Sequence, residues 1–294
     1  MFLCECYFLR VTITNLYNDA VPKDSEFIAD HGQSFLIASD EKKVLLDAGM
    51  NGKKLLHNMK LLRIEPNSID ALVLSHGHLD HTGGLKALLE NRSIENPLEI
   101  IGHPTVFEPK GMHDAKKKPD EIMEYYLSPI EGELRKKMIL NLTPKPIAIT
   151  AYLLTVGEVN QRPHKDGVEK RTRHYVNGNW EHDNLLDDLS LVLKTKDGSV
   201  LICGCCHAGL LNTLEQVTRN HKENIIAIIG GTHMFRFSEE EVDFVVGQLM
   251  NKYSSPKLYF NHCSGQNTID YMRSQIKSDI IKPCLVGTKL SYDC

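Results

Sequence analysis

Between Leu72 and Leu85 the chain reads Leu-Val-Leu-Ser-His-Gly-His-Leu-Asp-His-Thr-Gly-Gly-Leu, and few folds can accommodate such a stretch. An apolar run with the pattern of a buried strand leads straight into His76, His78, Asp80 and His81, four side chains able to ligate a metal within six positions. Alternate residues at the end of a strand point the same way, so His76 and His78 can reach one ion. The turn that follows displaces Asp80 and His81 toward a second. The expected cofactor is therefore a pair of divalent metal ions. Imidazole nitrogen with carboxylate oxygen suits zinc, and the same donors accept iron or manganese. Gly83 and Gly84 permit a tight turn before a helix that begins near Leu85.

Further donors occupy comparable positions along the chain. Arg10 to Leu16 alternates as an opening strand, and Phe35 to Ala38 with Val44 to Asp47 reads as a hairpin. At its end the Asp47 carboxylate can cap a helix or orient a metal-bound histidine. A helix is expected over Lys53 to Leu62 and a short strand over Leu98 to Ile101. From about 103 to 185 the pattern weakens, broken by prolines, with helical pieces expected at Glu121 to Leu127 and Gly132 to Leu140 and a strand over Ile147 to Val156. A long irregular region between regular elements is more often functional than spare, so this segment reads as a lid inserted into one domain spanning 1–294.

Regular order resumes with the hairpin Leu189 to Thr195 and Val200 to Cys203. Strands over Ile225 to Ile229 and Lys257 to Phe260 alternate with helices, one opened by a Ser238/Glu241 capping box, and a last strand is expected near Cys284 to Val286. His207, His233 and His262 each stand where a strand gives way to a loop. In α/β proteins such strand ends gather at one edge, which brings these histidines toward the first four donors. His207 is expected to complete one metal site with His76 and His78, and His262 the other with Asp80 and His81. His233 lies outside those six. The glycines before it let the backbone approach a bound molecule, so it reads as a substrate contact or proton donor, with ligand and structural roles open.

The pattern His-x-His-x-Asp-His, after an apolar strand ending in Ser75 and before Thr-Gly-Gly-Leu, resembles the signature of the metallo-β-lactamase superfamily. The fold implied is an α/β protein of the αββα sandwich type, two mixed sheets with helices outside. Within that superfamily the chain looks most like the branch containing the enzyme that joins a dihydropterin to 4-(β-D-ribofuranosyl)aminobenzene 5′-phosphate. The phrases that carry this are His31-Gly32, Leu46-Asp47-Ala48-Gly49, Ser75 to Leu85, Thr155-Val156-Gly157-Glu158, Asp187-Asp188, Gly204-Cys205-Cys206-His207-Ala208-Gly209, Gly230-Gly231-Thr232-His233 and His262-Cys263-Ser264-Gly265. The branch usually has Ser in place of Cys206 and Phe in place of Thr232. Where hydrolases of the wider superfamily carry Gly-Asp, with the Asp bridging two metals, this chain has Gly204-Cys205. A thiolate can bridge, and a buried inert cysteine fits equally.

The activity implied is metal-dependent chemistry on a small phosphorylated or pterin-like compound, with Asp80 and His233 as candidate catalytic residues. Hydrolysis by activated water is the first expectation. A transferase condensing a dihydropterin diphosphate with ribofuranosylaminobenzene 5′-phosphate is the second, and a ligand-binding protein without turnover the third. Expected substrate contacts are His31, His233 and the cations Arg171 and Arg173 of the lid, against a solvated hairpin as the other reading. A net charge of −4 with both signs mixed argues against a nucleic-acid or anionic-membrane surface, so the expected partner is a small anionic substrate. No apolar run reaches the roughly 20 residues of a spanning helix, and the N-terminus lacks the features of an export signal. A cytoplasmic protein with mostly reduced thiols among its eight cysteines is expected, disulfides being the minor reading and a zinc or iron–sulfur site of Cys4 and Cys6 with Cys203, Cys205 and Cys206 a further one. The sequence does not specify an oligomeric state.

Overall fold

A computed structural model describes residues 9–113, 121–221, 224–276 and 279–294. In chain order the strands are β1 (Arg10–Tyr17), β2 (Ser34–Ala38), β3 (Lys43–Leu46), β4 (Ala71–Val73), β5 (Leu98–Gly102), β6 (Lys110–His113), β7 (Ile122–Glu124), β8 (Met138–Leu142), β9 (Leu153–Thr155), β10 (Thr172–Val176), β11 (Asn179–His182), β12 (Ser190–Thr195), β13 (Gly198–Cys203), β14 (Ile225–Gly230), β15 (Lys257–Phe260) and β16 (Lys289–Asp293). The helices are α1 (Gly52–Leu61), α2 (Leu79–Thr82), α3 (Leu85–Glu90), α4 (Gly132–Arg135), α5 (Leu210–His221), α6 (Glu239–Asn251) and α7 (Gln266–Gln275).

Alternation along the strands builds two mixed sheets. The first runs β16-β1-β2-β3-β4-β5-β8 and the second β15-β14-β13-β12-β9. Val11, Ile13, Phe35, Ile37, Val44, Leu46, Ala71 and Val73 face inward and meet Leu191, Leu193, Val200, Ile202, Ala227 and Ile229 of the second sheet. The intervening residues face outward: Leu45, Leu72 and Ile100 pack with α1 and α3, and Leu201, Ile228 and Leu258 with α5, α6 and α7. The result is the αββα sandwich. Each fully buried aliphatic side chain contributes roughly 1.5–3 kcal/mol. A one-residue slip would turn a whole row of them to the wrong layer, so the register of every central strand is strongly specified.

The 103–185 segment is divided among three places. β8 extends the first sheet beside β5 and β9 extends the second beside β12, while β6, β7, β10 and β11 form a separate small sheet in the order β11-β10-β6-β7. Its outer hairpin turns at Asn177-Gly178, both at positive φ, the residue pair that a tight two-residue hairpin favours. Three local expectations are corrected. Glu121 to Leu127 contains the strand β7 instead of a helix, because its backbone pairs with β6. The helix at Gly132 stops at Arg135, and the chain continues as β8 with Met138 buried on the sheet. The last strand is Lys289–Asp293, paired with β1, whereas the Cys284 carbonyl is taken by the side-chain amides of Asn15 and Asn18. The Cys4/Cys6 pair lies outside the described residues. No helix among them is long and apolar enough to cross a membrane.

Candidate metal centre and substrate cleft

The expected donors emerge where strands of the two sheets end at one edge. The loop after β4 carries His76 and His78, and the first turn of α2 carries Asp80 and His81. The loops after β13, β14 and β15 supply His207, His233 and His262. Two buried clusters result. In the first, His76, His78 and His207 each bring a donor atom within 4.8 Å of the others, with His76 Nε2 3.0 Å from His78 Nδ1. In the second, Asp80, His81, Cys205 and His262 do the same. Asp80 Oδ2 lies 3.2 Å from His262 Nε2 and 3.6 Å from His81 Nε2, and Cys205 Sγ is 3.1 Å from His81 Nε2.

The neighbouring side chains fix how these donors point. Asp47 Oδ2 takes the His81 Nδ1 hydrogen bond at 2.6 Å and the Ser75 hydroxyl at 2.8 Å, and its Oδ1 accepts the Ser75 N–H at 2.8 Å. Of its two readings, the structure gives Asp47 that of the carboxylate orienting a histidine. Asp19, in a loop with no sequence signal, does the same for His262 Nδ1 at 3.0 Å. It also lies 3.4 Å from His31 Nδ1, and the other nitrogen of His31 is 3.4 Å from Asp80 Oδ2. The two ligand loops touch where Gly204 meets Ser75: a Cβ on Gly204 would stand 2.2 Å from the Ser75 hydroxyl, so no larger residue fits.

The Asp187-Asp188 pair ties both loops from beneath. Asp188 accepts the Ala208 N–H at 2.9 Å, and Asp187 Oδ2 accepts the Gly77 N–H at 2.8 Å. Asp187 Oδ1 and Asp183 share the ammonium of Lys110, at 3.2 and 2.8 Å, and all three side chains are buried. Lys110 belongs to the small sheet, and its aliphatic stem fills the space a Cβ on Gly77 would need. Sequence reading missed this lysine, since nothing local distinguishes it from a solvated one.

The donor set fits divalent metal. His207 Nε2 and Asp80 Oδ1 are buried without a hydrogen-bond partner, and His262 Nε2 has no aligned one although Asp80 is near. Such atoms cost free energy unless something satisfies them. Burial, then neighbouring imidazoles, hold His76 well below the usual histidine range, and burial brings His78 down to about 3. Burial and His233 lower His207 in the same way. The first cluster is thus neutral, with lone pairs free to donate. In the second, burial opposes charge, but Asp47 and Asp80 raise His81, and Asp19 and Asp80 raise His262. Burial would push Asp80 up, yet His81 and His262 hold it well below the carboxylate range. The carboxylates around these two histidines thus favour positive charge at this cluster, which a bound cation would supply.

Both clusters open on a cavity of about 520 Å³. Its walls include His31, His233, Met112, Met123, Tyr125, Phe235, Arg171, Arg236 and Glu169. His233 is packed beside His207, ring centroids 4.2 Å apart, and burial lowers it to about 4. Arg171 reaches the cavity. Arg173 does not line it, and its guanidinium donates to the carbonyls of Lys170 and Thr172. The apolar wall and Arg236 were not foreseen, because they come from separate loops with no shared motif.

A family model described as the metallo-beta-lactamase superfamily matches residues 28–208. Among curated relatives, the 7,8-dihydropterin-6-methyl-4-(beta-D-ribofuranosyl)-aminobenzene-5'-phosphate synthase of Methanocaldococcus jannaschii is 28% identical over 279 residues, covering 92% of this chain and 93% of its own length. An uncharacterised protein of the same organism is 30% identical over 243 residues, covering 82% and 86%. Among solved structures, Tm1679, described as a metal-dependent hydrolase of the beta-lactamase superfamily, superposes with a TM-score of 0.81 at 23% identity, covering 97% of this chain and all of that one.

Proposed function

Because the chain belongs to the metallo-beta-lactamase superfamily, we propose that it is a metal-dependent hydrolase acting on a small phosphorylated or pterin-like compound. The observation that carries this reading is the opening of two buried ligand clusters onto one cavity. His76, His78 and His207 would hold one divalent ion, and Asp80, His81 and His262, with Cys205 beside them, the other. When bound, such ions supply Lewis acidity, which makes water acidic enough to attack near neutral pH and offsets negative charge on a phosphate or carbonyl oxygen.

The remaining work belongs to side chains. Asp80, kept ionised between His81 and His262, would ligate the second ion and accept a hydrogen bond that orients the attacking water. His233 faces the same cavity as a neutral imidazole and hydrogen-bonds the leaving group, while His31 contacts substrate at the Asp19 side. The apolar wall of Met112, Met123, Tyr125 and Phe235 excludes water from one side of a flat substrate. The test is turnover of a panel of phosphate esters and dihydropterin diphosphate by zinc-, iron- or manganese-loaded protein. Metal-dependent release of product is expected, and loss of the reading follows if no member of the panel is turned over.

A transferase is the second reading, favoured by the relative whose printed name is a dihydropterin-linked synthase and which matches across 92% of this chain. There the arylamine acceptor would replace water and diphosphate would leave. Adding ribofuranosylaminobenzene 5′-phosphate to the same assay separates the two: a coupled product indicates transfer, and an unchanged hydrolysis product indicates hydrolysis.

A further inference from the structure

A second cavity of about 330 Å³ adjoins the first and shares four of its walls: His233, Glu169, Arg171 and Arg236. The loop over residues 165–171 that encloses it is tied to the metal centre. The Gly167 N–H donates to the His207 carbonyl at 2.9 Å, and a Cβ on Gly167 would meet that of His233 at 2.6 Å. The annex is therefore built onto the ligand loops.

Its chemistry differs from that of the main chamber. Lys165, Lys170, Arg171 and Arg236 line it against only Asp166 and Glu169. Lys165 is engaged by Glu241 at 2.5 Å. The two arginines converge on one carboxylate: Arg171 Nε and Arg236 Nη1 each lie 2.7 Å from Glu169 Oε2. Glu169 is 10% exposed, whereas Arg171 and Arg236 are 43% and 54% exposed. One carboxylate thus holds two partly exposed guanidinium groups together at the wall that the two cavities share. Arg236 is further steadied over the Phe235 ring at 5.0 Å. Paired guanidinium groups held this way suit bidentate recognition of an oxyanion.

We propose that this annex is the subsite for a second anionic group of the substrate, phosphate or carboxylate, clamped by Arg171 and Arg236. The substrate class is then an amphiphile. A reacting ester lies at the ligand clusters, an apolar body lies along Phe235 and the methionines, and a charged group at the far end reaches past His233. This rests on the reading of the ligand clusters as the reacting centre.

The test compares three probes, each as its non-hydrolysable phosphonate analogue, by calorimetric binding to metal-loaded protein: phenyl phosphate, 4-carboxyphenyl phosphate and benzene-1,4-diyl bisphosphate. The measured quantity is the ratio of the Kd of phenyl phosphate to that of each two-headed probe. Charge-assisted hydrogen bonds predict a ratio of about ten or more in the parent. In Arg236→Gln and Arg171→Gln it falls toward one. A larger ratio for the bisphosphate identifies phosphate as the natural second group, and equal ratios identify a site that accepts either. A ratio near one in the parent, with phenyl phosphate still bound, overturns the annex and leaves the metal-centre reading standing. A ratio retained in both variants also overturns it, and binding of none of the probes overturns both.

Discussion

Replacing Lys110 with methionine isolates the buried connection between the small sheet and the ligand loop. The side chain is 1% exposed, and its partners Asp183 and Asp187 are 5% and 0% exposed. Methionine keeps most of the volume and removes the charge, leaving two carboxylates in the interior without a cation. Breaking a buried pair from one side costs about 3–5 kcal/mol, a large share of the roughly 5–15 kcal/mol that holds a domain together. The variant should fold with a clearly lower unfolding midpoint in urea. A triple variant, Lys110→Met with Asp183→Asn and Asp187→Asn, should recover most of the loss, since neutral replacement of a whole buried pair is often tolerated. The pH dependence has a definite sign. In the parent, burial pushes Asp183 up but Lys110 holds it below the carboxylate range, so its contribution is present above about pH 4 and lost as pH falls through its folded-state value. In Lys110→Met burial is no longer offset by the ammonium, although the Leu185 N–H still favours the ionised form, so the carboxyl rises and the deficit relative to the parent is largest near pH 7 and shrinks as pH falls. A cost below about 1 kcal/mol at pH 7, the scale of an exposed ion pair, would refute the reasoning.

Two further substitutions address the site itself. Asp47→Asn removes the carboxylate behind His81 while preserving shape, so affinity for the second metal equivalent should fall about 10–100-fold in competition with a chelator, with the first unchanged. Equal loss of both would mean that Asp47 supports the edge as a whole. His233→Ala should keep its metal and lose on the order of 10²-fold in turnover of an ester with a poor leaving group, but little with an activated one. Equal losses on both would make it a positioning residue, and loss of metal would make it a ligand.

The parts of the molecule readable from sequence were those written locally. Period-two strands and the run from His76 to His81 carry their own geometry, so the sandwich and the donors at its edge could be anticipated. The small sheet could not, because β6 and β10 are joined by contacts about sixty residues apart and their edge residues carry no apolar alternation. Asp19, Lys110 and Glu169 share that cause. Each matters through what it touches across the fold: His262, Asp187 and Arg236 respectively. A charged residue in a loop looks the same in sequence whether it ends in solvent or under a ligand. Glu121 to Leu127 misled for the opposite reason, since a helix-compatible composition yielded to an open strand edge on β6.

The central claim is that two separate ligand clusters each hold an ion, and elemental analysis after metal loading and desalting tests it directly. About two equivalents are expected in the parent, and about one in each of His76→Ala and His262→Ala, since a cluster stripped of one donor leaves an open and poorly neutralised ion. Circular dichroism establishes that each variant is folded. Parental metal content in both folded variants would contradict the assignment.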